Sequence, residues 1–215
     1  MNRKIFVGGL LLAALVTVAC GSLLVWAAVG DTRLSDAAMK GDKNTVRTLL
    51  EQKLDVNAPQ GDGSTALHWA AYRDDLEIAQ LLVKAGANVR VVTRVGEMTP
   101  LFMASKNGNA AMIDLLLKSG ADPNAANSNG TTPLMLASAS GKADAVKTLL
   151  GRGANVNAKD NTNGQTPLMF AAALNRADAI RALVDAGADL NVSSKISSVG
   201  EIGRASCRER VYACV

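Results

Sequence analysis

The chain has 215 residues, of which 48% are hydrophobic, 20% charged and only seven aromatic. That apolar content excludes a wholly disordered chain, and the length allows one ordinary domain or two small ones with a core of Leu, Ala, Val and Met. The net charge of +4 is not carried by the middle of the chain, since residues 31–195 hold 18 basic and 17 acidic groups, so charge gives no case for a polyanion partner and no nucleic-acid partner is expected.

In chain order, Asn2, Arg3 and Lys4 precede an uncharged stretch over residues 5–29. A basic start before an apolar run is the pattern of a secretory signal or a membrane anchor, and 25 residues of helix would reach about 37 Å, enough to cross a hydrocarbon core of about 30 Å. Ala28 and Gly30 offer a cleavage point before Asp31, and Ala19-Cys20-Gly21 offers an earlier one. The segment ending at Cys20 resembles a bacterial lipoprotein signal, with Cys20 as the lipid-bearing residue, although Thr17 stands where that pattern has an aliphatic residue. An unmodified small residue in an apolar helix is the alternative for Cys20. Each reading takes the domain to or across a membrane, so residues 1–30 are expected to be a signal peptide or anchor, and the rest an exported or envelope-held protein rather than a soluble cytosolic one.

From residue 58 the sequence repeats. TALHWAA at 65–71 recurs as TPLFMAS at 99–105, TPLMLAS at 132–138 and TPLMFAA at 166–172, at intervals of 34, 33 and 34 residues. A second landmark keeps the same step, as GANV at 86–89, GADP at 120–123, GANV at 153–156 and GADL at 187–190. Between them lie Leu-rich runs, with Ile78, Ile113, Val146 and Ile180 a turn earlier supplying an apolar face. Thr before Pro predicts an N-cap followed by a residue that loses no hydrogen bond at a helix start. Gly at 86, 120, 153 and 187 can stop the second helix, and the Asn- and Asp-rich stretch beyond turns the chain back. Units two and four gain one residue in that turn, where the helix stack is undisturbed. One such unit cannot bury its own apolar face, so neighbours must stack.

This array resembles the ankyrin repeat family, which implies an all-α repeat solenoid of helix–turn–helix units with hairpin loops. Four units are recognisable over 58–191, and a degenerate unit over 31–57, built around Leu34, Ala37 and Asn57, fits an N-terminal cap. Residues 192–200 begin a further loop. The stretch EIGRASCRERV at 201–211 matches no repeat and resembles a translated sequencing adapter, so 201–215 are expected to be an artefactual tail on a truncated chain. Cys207 and Cys214 leave with it.

Catalytic chemistry finds no footing in these residues. His68 is the only histidine, so neither a nucleophile–base pair nor a His/Cys metal site can be assembled, and no cofactor or small-molecule substrate is expected. The family resemblance gives His68 a structural role between neighbouring loops. Asp74, Asp75, Asp160 and Asp185 read as solvated surface. Trp69, Met103, Leu136 and Phe170 share one position in successive units and form an apolar column, either packed or presented to a partner.

What remains is binding to another protein, which the resemblance places on a concave face made of loop tips and first-helix ends. The positions that vary between matched units are the candidates: Asp62, Ser64, Tyr72 and Arg73; Arg94, Glu97, Lys106 and Asn107; Ser128, Asn129, Thr131 and Ser140; Thr162, Asn163, Gln165 and Leu174. Trp69, Tyr72 and Arg73 lie together on one helix and are the expected hot spot, since aromatic and Arg side chains dominate interface energetics. A non-catalytic interaction module is one outcome. The recognition arm of a larger enzyme or receptor and a secreted effector are the others. Ordinary surface variation is the competing account of most of these positions.

Overall fold

A computed structural model describes residues 31–194; the expectations for residues 1–30, including Cys20, and for the tail from residue 201 lie outside the described residues. Among those described there are ten helices and no strand. They come in five pairs: α1 (Arg33–Lys40) and α2 (Lys43–Glu51), α3 (Ala66–Arg73) and α4 (Leu76–Lys84), α5 (Pro100–Asn107) and α6 (Ala110–Lys118), α7 (Pro133–Ser140) and α8 (Ala143–Gly151), α9 (Pro167–Ala173) and α10 (Ala177–Asp185).

The first helices stack on one another in chain order, and the second helices form a parallel layer beside them. Small residues let the first layer close up. Ala37 and Ala38, Ala70 and Ala71, Ala104 and Ser105, Ala137 and Ser138, and Ala171 and Ala172 are all buried along one column. The second layer contributes Val46, Ile78, Ile113, Val146 and Ile180, each with no exposed surface. With Leu67, Leu101, Leu134 and Leu168 these residues make one continuous core, so each unit buries its apolar face only against its neighbours.

The helix ends follow the repeat only in part. Thr99 and Thr132 accept from the amides of Phe102 and Met135 as expected of N-caps. Thr65 instead forms a capping box with His68, its Oγ1 3.0 Å from the ring Nδ1, while Thr166 Oγ1 is buried with no partner. The second helices carry caps that the Thr-Pro pattern does not signal, namely Asp42, Asp75 and Asn109, which accept from Thr45, Ile78 and Met112. Gly86, Gly120, Gly153 and Gly187 adopt φ of 85–95° just past the second helices, where chain reversal requires a left-handed residue.

Each hairpin loop closes with a backbone bond between its end residues. Gln60 and Ser64, and Asn127 and Thr131, close five-residue turns; Thr93 and Met98, and Asp160 and Gln165, close six-residue turns because of their extra residue. Asp160 is a correction to the reading of surface carboxylates. It is buried, and its Oδ1 accepts from the amides of Asn163 and Gln165, so it organises the turn rather than facing water.

Candidate protein-binding surface

The candidate residues fall on two features of each unit, the hairpin tip and the C-terminal end of the first helix. At the end of α3, the Trp69 and Tyr72 rings meet edge to face with centroids 6.0 Å apart. Trp69 is half-buried and held from behind, its Nε1 donating to Gln60 Oε1 at 2.7 Å while Gln60 Nε2 donates to Asp36 Oδ1 at 2.7 Å. Tyr72 is left 56% exposed on this fixed support. Met103, Leu136 and Phe170 are half-buried like Trp69, so the column is packed on one side and open on the other.

Several of the varying positions join units together. Arg73 Nη1 donates to the Met39 carbonyl of the preceding unit at 3.2 Å and Asn107 Nδ2 donates to the Ala71 and Tyr72 carbonyls; outside the candidate set, Arg176 Nε donates to Ala139 in the same way. Each reaches carbonyls at the end of the previous first helix, where the last turn leaves acceptors without a full set of helical partners. Arg94 Nη1 donates to Gly61, and Glu97 accepts from the Ser128 amide at 2.7 Å.

Other candidates are bound within their own loop. Ser64 is buried and donates through Oγ to Asp62 Oδ2, and its amide donates to Asp62 Oδ1, so Ser64 is not available to a partner. Those two bonds, the amide first, hold the Asp62 carboxyl below its ordinary range. The Thr131 amide donates to Asn127, Ser140 Oγ donates to Ala137, and the Asn163 and Gln165 amides donate to Asp160. Tyr72, Lys106, Asn129, Thr162 and Leu174 keep exposed side chains, Leu174 at 52%.

The column of Asn at the base of the hairpins is a set the sequence reading passed over. Asn57, Asn124 and Asn157 accept from the amides of Asn88, Asn155 and Asp189 one unit on, and Asn124 and Asn157 also donate to the Gly153 and Gly187 carbonyls. Asn124 and Asn157 stand 33 residues apart and Asn57 two periods before Asn124, a signal visible in the sequence. His68 links units as well, with Nδ1 accepting from the Thr65 amide at 3.1 Å and Nε2 at 3.0 Å from the Met98 carbonyl of the next hairpin. Burial lowers its pKa below the ordinary 6.5, partly offset by that carbonyl.

Two profiles of known families match these units. One described as ankyrin repeats (3 copies) covers residues 101–194, and one described as ankyrin repeats (many copies) covers residues 34–83 and 74–117. The chain belongs to the ankyrin repeat family. The ankyrin stretch is 37% identical over 101 residues to a palmitoyltransferase of Kluyveromyces lactis, covering 46% of this chain and 13% of that one. It is 36% identical over 85 residues to the palmitoyltransferase Hip14 of Drosophila melanogaster, covering 40% and 13%. It is also 39% identical over 75 residues to the human ankyrin repeat domain-containing protein 40, covering 34% and 20%. The chain thus spans about an eighth of the length of the palmitoyltransferases it matches.

An ankyrin array of this kind suggests a protein-interaction module. Among the described residues no group of three or more His, Cys, Asp and Glu side chains is placed to hold a metal ion, and no helix is long and apolar enough to cross a membrane.

Proposed function

We propose that this chain is a non-catalytic binding module that takes a partner protein on the face formed by its first-helix ends and hairpin tips. The observation that carries the reading is the Trp69–Tyr72 pair, in which a hydrogen-bonded, half-buried indole fixes an exposed phenol. An aromatic ring held in place loses little entropy on binding, which favours it as an anchor. Lys106 and Leu174 occupy the same end of later first helices and extend the surface. The loop-tip candidates Asp62, Asn129 and Thr162 form its rim, while Arg73, Arg94, Glu97 and Asn107 support it from below.

The experiment is site-specific photo-crosslinking in the source cells from Tyr72, Lys106 and Leu174, with Gln80 and Lys147 on the second-helix layer as controls. One shared partner captured from the first set and absent from the second is the expected result. Equal capture from both sets contradicts the reading.

The relatives favour a second reading. Because the ankyrin stretch is a small part of each matched palmitoyltransferase, this array is alternatively the recognition arm of a larger protein. Sequencing the gene across codons 190–215 distinguishes them: further repeats favour the module, and a region of new composition favours the arm.

The location belongs to the same proposal. The basic start and apolar residues 5–29 support export or retention at a membrane, with Cys20 as a lipid acceptor. A fatty-acid label lost in Cys20→Ser, and protease access to the array only after the membrane is opened, are the expected outcomes.

A further inference from the structure

The hairpins are joined in couples rather than in one continuous ladder. The Arg94 amide donates to the Asp62 carbonyl at 2.7 Å, and the Asn161 amide donates to Asn129 at 2.9 Å. Between the couples the corresponding amide, Ser128, donates instead to the Glu97 carboxylate. Close approach follows the same division. A Cβ on Gly63 would meet the Arg94 backbone at 3.0 Å and one on Gly130 the Asn161 backbone at 2.7 Å, whereas one on Gly96 would meet nothing within 4 Å except Met98 beside it in the same turn.

The Asn column breaks at the same place. The residue equivalent to Asn57 and Asn124 is Arg90, whose Nε still donates to the Gly120 carbonyl at 2.8 Å but which has no oxygen to accept from Asp122. An open cavity of about 680 Å³ lies there, bounded by Val89, Val92, Leu101, Phe102, Ala121 and Pro123. The cause is local: Gly96 at φ 78° matches Gly63 and Gly130, but the extra residue, Glu97, adds a second left-handed position at φ 49°, and the Val95 carbonyl that would have met Ser128 accepts from Thr93 Oγ1 at 2.8 Å.

We propose that the loop layer is articulated between these two couples, with the Glu97–Ser128 contact as its latch, while the helical layer beneath remains one stack. Hairpins 60–64 and 93–98 move as one jaw, and 127–131 and 160–165 as the other. That these jaws grip a partner rests on the reading of the hairpin tips as a binding surface; the articulation itself does not.

The test is amide exchange by NMR on the full chain, with no partner present. In Glu97→Ala the Ser128 amide exchanges roughly tenfold faster, the effect of losing one charge-assisted bond, while Arg94 and Asn161 keep their rates. Glu97→Gln, which retains an acceptor oxygen, falls between. Deleting Glu97 gives a five-residue turn with Gly96 in the place held by Gly63 and Gly130, so Ser128 meets the Val95 carbonyl and exchanges more slowly than in the parent. Unchanged Ser128 exchange in Glu97→Ala, or an equal rise at all three amides, overturns the proposal, and so does faster Ser128 exchange in the deletion. Partner binding that fails while these rates hold counts against the binding surface and not against the latch.

Discussion

Because a backbone amide can only donate, the Thr65 N–H fixes His68 Nδ1 as the acceptor and leaves the proton on Nε2, where it is donated to Met98. A protonated ring would face the Thr65 amide with a second donor. Burial already holds the pKa of His68 below 6.5, so the folded state binds its proton less readily than the unfolded chain. The stability this gives is complete above about pH 6.5 and is lost as pH falls through that value toward the depressed one, by at most about 1.4 kcal/mol per pH unit. Urea melts between pH 7.5 and 5 should show that decline, and His68→Phe should flatten it while costing about 2–4 kcal/mol at neutral pH. A structural role for His68 was legible from its place in the repeat. Its partner Met98 was not, since that residue lies in the turn with the extra residue. Ser105 and Ser138 give a second contrast. Both replace an Ala of the small-residue column, but Ser138 Oγ donates to Leu134 at 2.6 Å while Ser105 Oγ is buried without a partner. Ser105→Ala should leave stability unchanged or raise it, and Ser138→Ala should lower it by about 1 kcal/mol in the same melts.

At the scale of helices and hairpins, units are held together by polar bonds laid over the apolar stack. The core follows directly from sequence, because the period sets which Leu, Ile and Ala recur, and the recurring positions are buried or packed against the core. The polar bonds do not follow so simply. A residue that varies from unit to unit looks like a partner-binding position, yet Arg73 and Asn107, at one position of successive units, use different side chains to reach carbonyls at the end of the preceding first helix. Variation in residue type conceals constancy of role there, and only the geometry separates it from a free surface. The Asn column is the reverse case, constant in type and legible by spacing. Its one interruption gives a prediction: Arg90→Asn restores an acceptor for the Asp122 amide and keeps a donor for Gly120, so it should raise stability by about 0.5–1.5 kcal/mol. Asn124→Ala, which removes both bonds to the next unit, should cost about 1–3 kcal/mol by the same measurement.

Over the whole array, each unit's apolar face is buried by the units on either side, and the surface left for function is what that stacking does not use. Of the positions that vary between units, those at Ser64, Asn163 and Gln165 are absorbed by turns and those at Arg73, Arg94, Glu97 and Asn107 by contacts between units. The sequence marks the stretches that carry the proposed face but does not separate its outward residues, because side chains that stitch units and side chains that point outward share those stretches. Tyr72 stands out by exposure and by its fixed support on Trp69. The most direct measurement is titration calorimetry of the crosslinked partner against the parent chain and Tyr72→Ala, with Gln80→Ala as the control. The account predicts at least a tenfold loss of affinity in Tyr72→Ala and none in Gln80→Ala, in keeping with an aromatic anchor worth about 2 kcal/mol. Equal affinity for Tyr72→Ala and the parent would contradict it.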